Sequence, residues 1–204
     1  MVDLEKIPRL KFEDRRSLSR EVFLSIRLPD DRLNKRVIKC YSQLLNYPGV
    51  SFCQAFGNYH QAKAWYRFIS NDRVTSEMLS RHLNEHGAEV SMKHRTIYAV
   101  SDTTEITFPA TQNREEFGHG SKESKRTKSM FVHTTLSVTE KGIPNGILHQ
   151  KIWTRDINTR GKKYLCKLYP IQEKESYKWI ESAEGVLHNF DKAESRPHVV
   201  MIGD

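Results

Sequence analysis

Two stretches of this chain run as apolar strands into an aspartate, and no other feature restricts its fold as much. In Arg95-Thr96-Ile97-Tyr98-Ala99-Val100-Ser101-Asp102-Thr103-Thr104-Glu105, residues 97–100 are apolar and partly β-branched, and Thr104, Ile106 and Phe108 continue an alternating pattern. A core strand is predicted. Asp102 then lies on a strand, where an ionised carboxylate is costly unless it is paired, hydrogen-bonded or bound to a cation. A turn with Thr103 and Thr104 as hydroxyl partners is the plainer alternative. The second stretch is His198-Val199-Val200-Met201-Ile202-Gly203-Asp204, four consecutive apolar residues followed by another carboxylate, which reads as a buried strand. If the two strands are neighbours in one sheet, Asp102 and Asp204 converge. Two carboxylates so placed hold hard divalent cations such as Mg²⁺ or Mn²⁺, which prefer oxygen ligands.

The elements between and before them decide whether the strands meet. Met130 to Val138 reads as a strand whose even-numbered positions are the more apolar, residues 139–142 as a turn, and Ile143 to Trp153 as a returning strand interrupted near Pro144 and Gly146. Residues 173–190 read as a helix with Ser176, Ile180, Ala183, Leu187 and Phe190 on one face. Three meandering strands, a right-handed crossover helix and a fourth strand allow the fourth to lie parallel to the first and beside it. The segment from Pro109 to Ser129 reads as a long loop, with Lys122, Lys125, Arg126 and Lys128 clustered at its end.

The N-terminal part is helical instead. Asp30 and Asp31 make an N-cap for a helix carrying Leu33, Val37, Tyr41, Leu44 and Leu45 on one face and Arg32, Lys35, Arg36 and Lys39 on the other. Ser51 and Gln54 have capping-box spacing, with Gly57 ending a short second helix. A third runs from about Asn58 to Ile69, with Trp65, Phe68 and Ile69 inward and His60, Lys63 and Arg67 elsewhere. A fourth, capped by Thr75 or Ser76, reaches about Val90 and sets His82 and His86 one turn apart. That spacing is one metal ligands use, but no nearby cysteine or third acid accompanies it. Basic outer faces on short helices fit a helix-turn-helix type DNA-binding unit, and equally a helical cap with a solvated face. The chain is thus read as an α+β or α/β protein with a helical domain at 1–90 and a mixed-sheet domain at 91–204.

Charge bears on the partner. The 204 residues carry 33 Lys and Arg against 25 Asp and Glu, a formal net charge of +8, spread over several segments. Such a balance favours a polyanion, most simply nucleic acid. Cys40, Cys53 and Cys166 are far apart and form no C-x-x-C pair, which argues against a zinc module or a disulfide framework. No apolar run approaches the length of a membrane span, and no signal-peptide pattern opens the chain, so a soluble, cytoplasmic protein is expected.

Several of these segments, taken together and in order, resemble the cut-and-paste DDE transposases of bacterial insertion sequences. They are Asp30, Arg32 and Arg36 in an Asp-x-Arg-x-x-x-Arg arrangement, Tyr47 and Gly49, Tyr66-Arg67-Phe68-Ile69, and Ser101-Asp102-Thr103-Thr104. Gly146-Ile147-Leu148-His149-Gln150, Glu173-Lys174-Glu175-Ser176 with Lys178-Trp179, and Val199 to Asp204 complete the set. The resemblance covers about 28–204. It implies a helical domain that binds double-stranded DNA at element ends, followed by an incomplete RNase H-like sheet in which Asp102 and Asp204 are the first two catalytic, metal-binding aspartates. It implies Mg²⁺ or Mn²⁺ in a two-metal site performing in-line displacement at phosphorus, and a dimer on DNA in the complete protein. Arg32, Arg36 and Arg67 match positions of the end-recognition domain, with Lys35, Lys39 and Lys63 as added phosphate contacts. The loop with Lys122, Lys125, Arg126 and Lys128 is expected near DNA as well. The family's third catalytic residue, a glutamate beyond the second aspartate, has no counterpart in these 204 residues, so the lone chain is expected to bind DNA without cutting it. A truncated regulator of transposition, or the product of a degraded transposase gene, fits the same residues; an unrelated two-metal nuclease shares only the acidic pair.

Overall fold

The computed structural model describes residues 12–47, 50–109, 116–121, 127–159, 167–191, 193 and 195–203, in two compact units, Met1–His82 and Leu83–Asp204. The first is helical: α1 (Phe12–Phe23), α2 (Asp31–Asn46), α3 (Phe52–Ala55), α4 (Tyr59–Ile69) and the start of α5 (Ser76–Ser91). Local chemistry sets these boundaries. Asp30 caps α2 by accepting the Arg32 amide, Ser51 and Gln54 form a reciprocal capping box on α3, and Asn58 accepts the Gln61 amide at the start of α4. Gly57 takes φ +66° between α3 and α4, a left-handed conformation that glycine adopts without steric cost. Behind these caps Cys40, Phe56 and Ala62 pack with Leu44 and Trp65. Trp65 also stacks on Phe68, with centroids 5.9 Å apart. Ile69, read from sequence as an inward residue, is instead exposed: α4 ends there, and Phe68 fills the interior position. His82 is a core residue as well, its Nε2 donating to the Val22 carbonyl at 2.6 Å beside the Phe23 ring. Among the described residues no group of three or more His, Cys, Asp or Glu is placed to hold a metal.

The second unit is a four-stranded sheet of β1 (Thr96–Pro109), β2 (Thr127–Thr139), β3 (Pro144–Trp153) and β4 (His198–Ile202), in the order β3-β2-β1-β4. β1 pairs antiparallel with β2, β2 antiparallel with β3, and β4 parallel with β1. This is the meander and crossover expected from the element order. Both hairpin strands run further than the sequence pattern indicated, β1 to Pro109 and β2 from Thr127, which shortens the connecting loop from both sides. The break expected near Pro144 and Gly146 is present as register shifts between β2 and β3.

One face of the sheet is buried by odd-numbered residues, Ile97, Ala99 and Ser101 on β1 and residues 129 to 139 on β2. On β2 these are largely hydroxyls, while the more apolar even positions lie on the less buried face. Hydrogen bonding makes that inversion tolerable. Ser101 pairs with Thr135 at 2.8 Å, Ser91 Oγ donates to Ser137 Oγ at 2.7 Å, and Ser129 Oγ donates to the Glu105 carboxylate at 2.8 Å. Against this layer pack Ala88 of α5, Leu148 of β3, and Val186 and Phe190 of the crossover segment that contains α6 (Lys178–His188). The inward side of α6 differs from the expected one: Ser182 and Val186 are buried, whereas Ile180 and Leu187 are exposed. Residues 171–177 form two short 3-10 turns, Ile171–Glu173 and Glu175–Tyr177, rather than helix. Three residues per turn instead of 3.6 changes the angular phase at which α6 begins.

Two glycines set the approach of α5 to β3. A Cβ on Gly87 would overlap the Ile147 carbonyl oxygen, and one on Gly146 would lie 2.7 Å from the Gly87 Cα. Neither obstacle is a side-chain tip that could swing away. Gly87→Ala therefore destabilises this unit despite alanine's better helix propensity, by roughly 1–3 kcal/mol. Urea unfolding followed by circular dichroism checks this; a more stable variant would show that the helix and strand separate at no cost.

Candidate nucleic-acid interface

The helical unit brings its basic residues into one cleft. On α2, Arg32 and Arg36 are one turn apart, and on α4 His60, Lys63 and Arg67 follow the same spacing, so each helix presents a charged edge. Between them opens a cleft of about 510 Å³ lined by Arg32, Arg36, Lys63, Arg67 and Arg73, with Leu33, Ala64 and Phe68 as its apolar part. Asp30 is the single carboxylate in the lining. Cations gathered this closely repel one another, and a row of phosphates relieves the repulsion while releasing counterions.

Asp30 organises one wall. Its Oδ1 accepts the Arg32 amide at 2.8 Å, and the same carboxylate takes the Arg32 side chain through Nε at 3.2 Å and Nη2 at 2.9 Å. Arg73 Nη1 lies 3.9 Å from it, while Arg73 Nη2 donates to the Pro29 carbonyl at 3.1 Å. The Arg32 hydrogen bonds, from side chain and then backbone, hold the Asp30 carboxyl at about 2, well below the usual carboxylate range. The sequence marks Asp30 as a cap but gives no sign of its hold on the Arg32 side chain, and it gives none of Arg73. Arg73 follows α4 in a turn, outside any helical periodicity that could have marked it.

The other expected DNA contacts are distributed differently. Lys35 is exposed on α2, and Lys39 lines a shallow groove with Arg36, Gln43 and Gln61. Lys63 also sits over the exposed Tyr59 ring, 5.6 Å from its centroid. In the other unit, Lys128 stands on β2 and lines a cavity of about 320 Å³ with Phe117, Arg155 and Asp156. Lys122, Lys125 and Arg126 lie outside the described residues.

Of the acidic pair, Asp102 is an exposed residue of β1, opposite Thr134 of β2, and its Oδ1 accepts the Thr103 amide at 2.6 Å. Next to it on the buried face, Thr103 Oγ1 pairs with His133 Nδ1 at 2.8 Å; the His133 ring lies edge-on to Trp179, and its Nε2 is buried without a hydrogen-bond partner among the described residues. Burial first, and then the nearby Lys178 charge, hold the His133 imidazole below its ordinary value and favour its neutral form. Asp204 lies outside the described residues. Asp102 offers an exposed carboxylate oxygen, the donor type that hard divalent cations take.

Among the described residues no helix is long and apolar enough to cross a membrane. No curated protein matches the chain. Residues 13–74, the span holding α2, α3, α4 and all of the basic cleft's lining, match the family model described as transposase DNA-binding, which supports a transposase N-terminal domain with DNA as its partner in this helical unit.

Proposed function

We propose that the helical unit binds double-stranded DNA at the terminal inverted repeats of an insertion element, and that the sheet unit belongs to an RNase H-like transposase catalytic domain. The observation carrying this reading is the coincidence of the basic cleft with the span matched at residues 13–74. Arg36, Lys63 and Arg67 contact phosphates from two walls, and Lys35 and Lys39 extend the electrostatic footprint along α2. Asp102 and Asp204 are the catalytic carboxylates of this reading. β4 is parallel to β1 with Val100 opposite Ile202, so the strand leading toward Asp204 runs beside the strand that carries Asp102. Mg²⁺ or Mn²⁺ bound by that pair would supply Lewis-acid activation at phosphorus. The protein acts as a dimer on DNA, as the resemblance implies.

The test of binding compares a duplex from the ends of the element with a scrambled duplex over a salt series. A preference for the end duplex that persists near physiological salt supports end recognition, and weak binding to both that collapses with salt refutes it. Asp102→Ala separates catalysis from binding. Its duplex affinity is expected to be unchanged or slightly raised, since the substitution removes a negative charge from the sheet unit, while any Mg²⁺-dependent nicking of the end duplex is lost. A large loss of affinity in this variant would place DNA contacts at the strand.

A further inference from the structure

Arg32 and Asp30 together have a geometry that the other cleft cations lack. The guanidinium carries five N–H donors in a planar fork, and Asp30 engages the Nε and Nη2 edge at 3.2 and 2.9 Å. The end-on edge, formed by Nη1 and the outer hydrogen of Nη2, is left pointing away from the carboxylate. The Arg32 side chain is 89 % exposed, whereas Asp30 is only 20 % exposed and fixed in place as the α2 cap. A long, solvated arginine is therefore held in one orientation by a short carboxylate that cannot itself move far.

We infer that Arg32, oriented by Asp30, reads a guanine edge in DNA rather than a phosphate, with Asp30 as the positioning residue for that specificity contact. This rests on the DNA-binding reading above. Two parallel N–H donors match either the O6 and N7 acceptors of guanine or two phosphate oxygens. The adjacent carboxylate decides between them. A phosphate arriving at the end-on edge would sit next to the negative charge of Asp30, whereas a guanine edge is neutral and meets no such repulsion. Phosphate binding falls instead to Arg36, Lys63 and Arg67, for which no ion pair with a carboxylate is present among the described residues. The same carboxylate removes rotamer freedom from Arg32 before DNA arrives, so less is lost on forming a bidentate contact.

Duplexes selected by the 204-residue protein from a library with a randomised core, followed by salt-series binding of selected and guanine-substituted duplexes, test the inference. The wild type is expected to enrich a guanine at a defined position, and Arg32→Ala to lose that preference roughly tenfold with little change in salt slope. Asp30→Asn and Asp30→Ser both keep an N-cap side chain and so keep α2, as circular dichroism would verify. Both are expected to lose the same guanine preference. Retention of that preference in both Asp30 variants overturns the positioning role. A reduction of the salt slope by about one in Arg32→Ala, with base preference intact, overturns guanine reading and makes Arg32 a phosphate contact. Salt-sensitive binding by the wild type with no base preference overturns this inference alone, and absence of duplex binding overturns the DNA-binding reading as well.

Discussion

Replacing Arg36 and Arg67 together by alanine lowers affinity for duplex DNA roughly ten- to a hundredfold near physiological salt and flattens the log–log salt dependence by close to two, at about 0.9 for each phosphate no longer neutralised. The two residues stand on opposite walls of the basic cleft, one on α2 and one on α4, so a single bound backbone would meet both. Neither makes an ion pair among the described residues, so their removal leaves no stranded carboxylate. Both are surface positions of helices and neither is buried, and alanine is the best helix former, which separates impaired binding from impaired folding. Fluorescence anisotropy across a salt series, with circular dichroism as the folding control, measures the effect. An unaltered slope would move the DNA site to another face, the strip around Lys128 and Arg155 being the next to test.

Phe190→Ala destabilises the sheet unit by about 3–5 kcal/mol, a fall in its unfolding midpoint on the order of 10 °C. Phe190 is 1 % exposed and packs with Ala88, Ile97, Ala99, Leu148 and Val186. Most of these neighbours are alanine or valine, so little surrounding mass can relax into the space a benzyl group vacates. The consequence reaches the proposed catalytic strand, because Ile97 and Ala99 lie on β1 shortly before Asp102. Thermal unfolding followed by tryptophan fluorescence reports on this unit through Trp153 and Trp179, and a midpoint shift of only a degree or two would show that the crossover is held elsewhere.

Much of the helical unit could be read directly, because its signals are local. The Asp30 cap, the Ser51 and Gln54 capping box, and the Gly57 break act within one turn of chain, and all three occur where the residues indicated. Arg32, Arg36, Lys63 and Arg67 were recognisable as basic edges from helical spacing. Their convergence across one cleft was not, since it depends on how α4 packs against α2 through Phe56, Ala62 and Trp65. Arg73 carries no such signal, because it belongs to no periodic segment.

The sheet unit divides along the same line. Element order and connection handedness are sufficient to place β4 parallel to β1, and β4 does lie beside β1. Composition could not foretell which face of β2 is buried, because the apolar even positions suggested one answer and the hydroxyl-rich odd positions won. The side-chain hydrogen bonds of Ser129, His133, Thr135 and Ser137 reach β1 and α5, tens of residues away in sequence. The caps, the helix edges, the strand order and the charge that favours a polyanionic partner follow from neighbours within a few residues or from chain connectivity, and so are written in the residues themselves. The buried face of β2, the phase of α6 and the approach of Arg73 to Asp30 arise instead from the folded arrangement, because each depends on hydrogen bonds and packing between segments that sequence spacing does not relate.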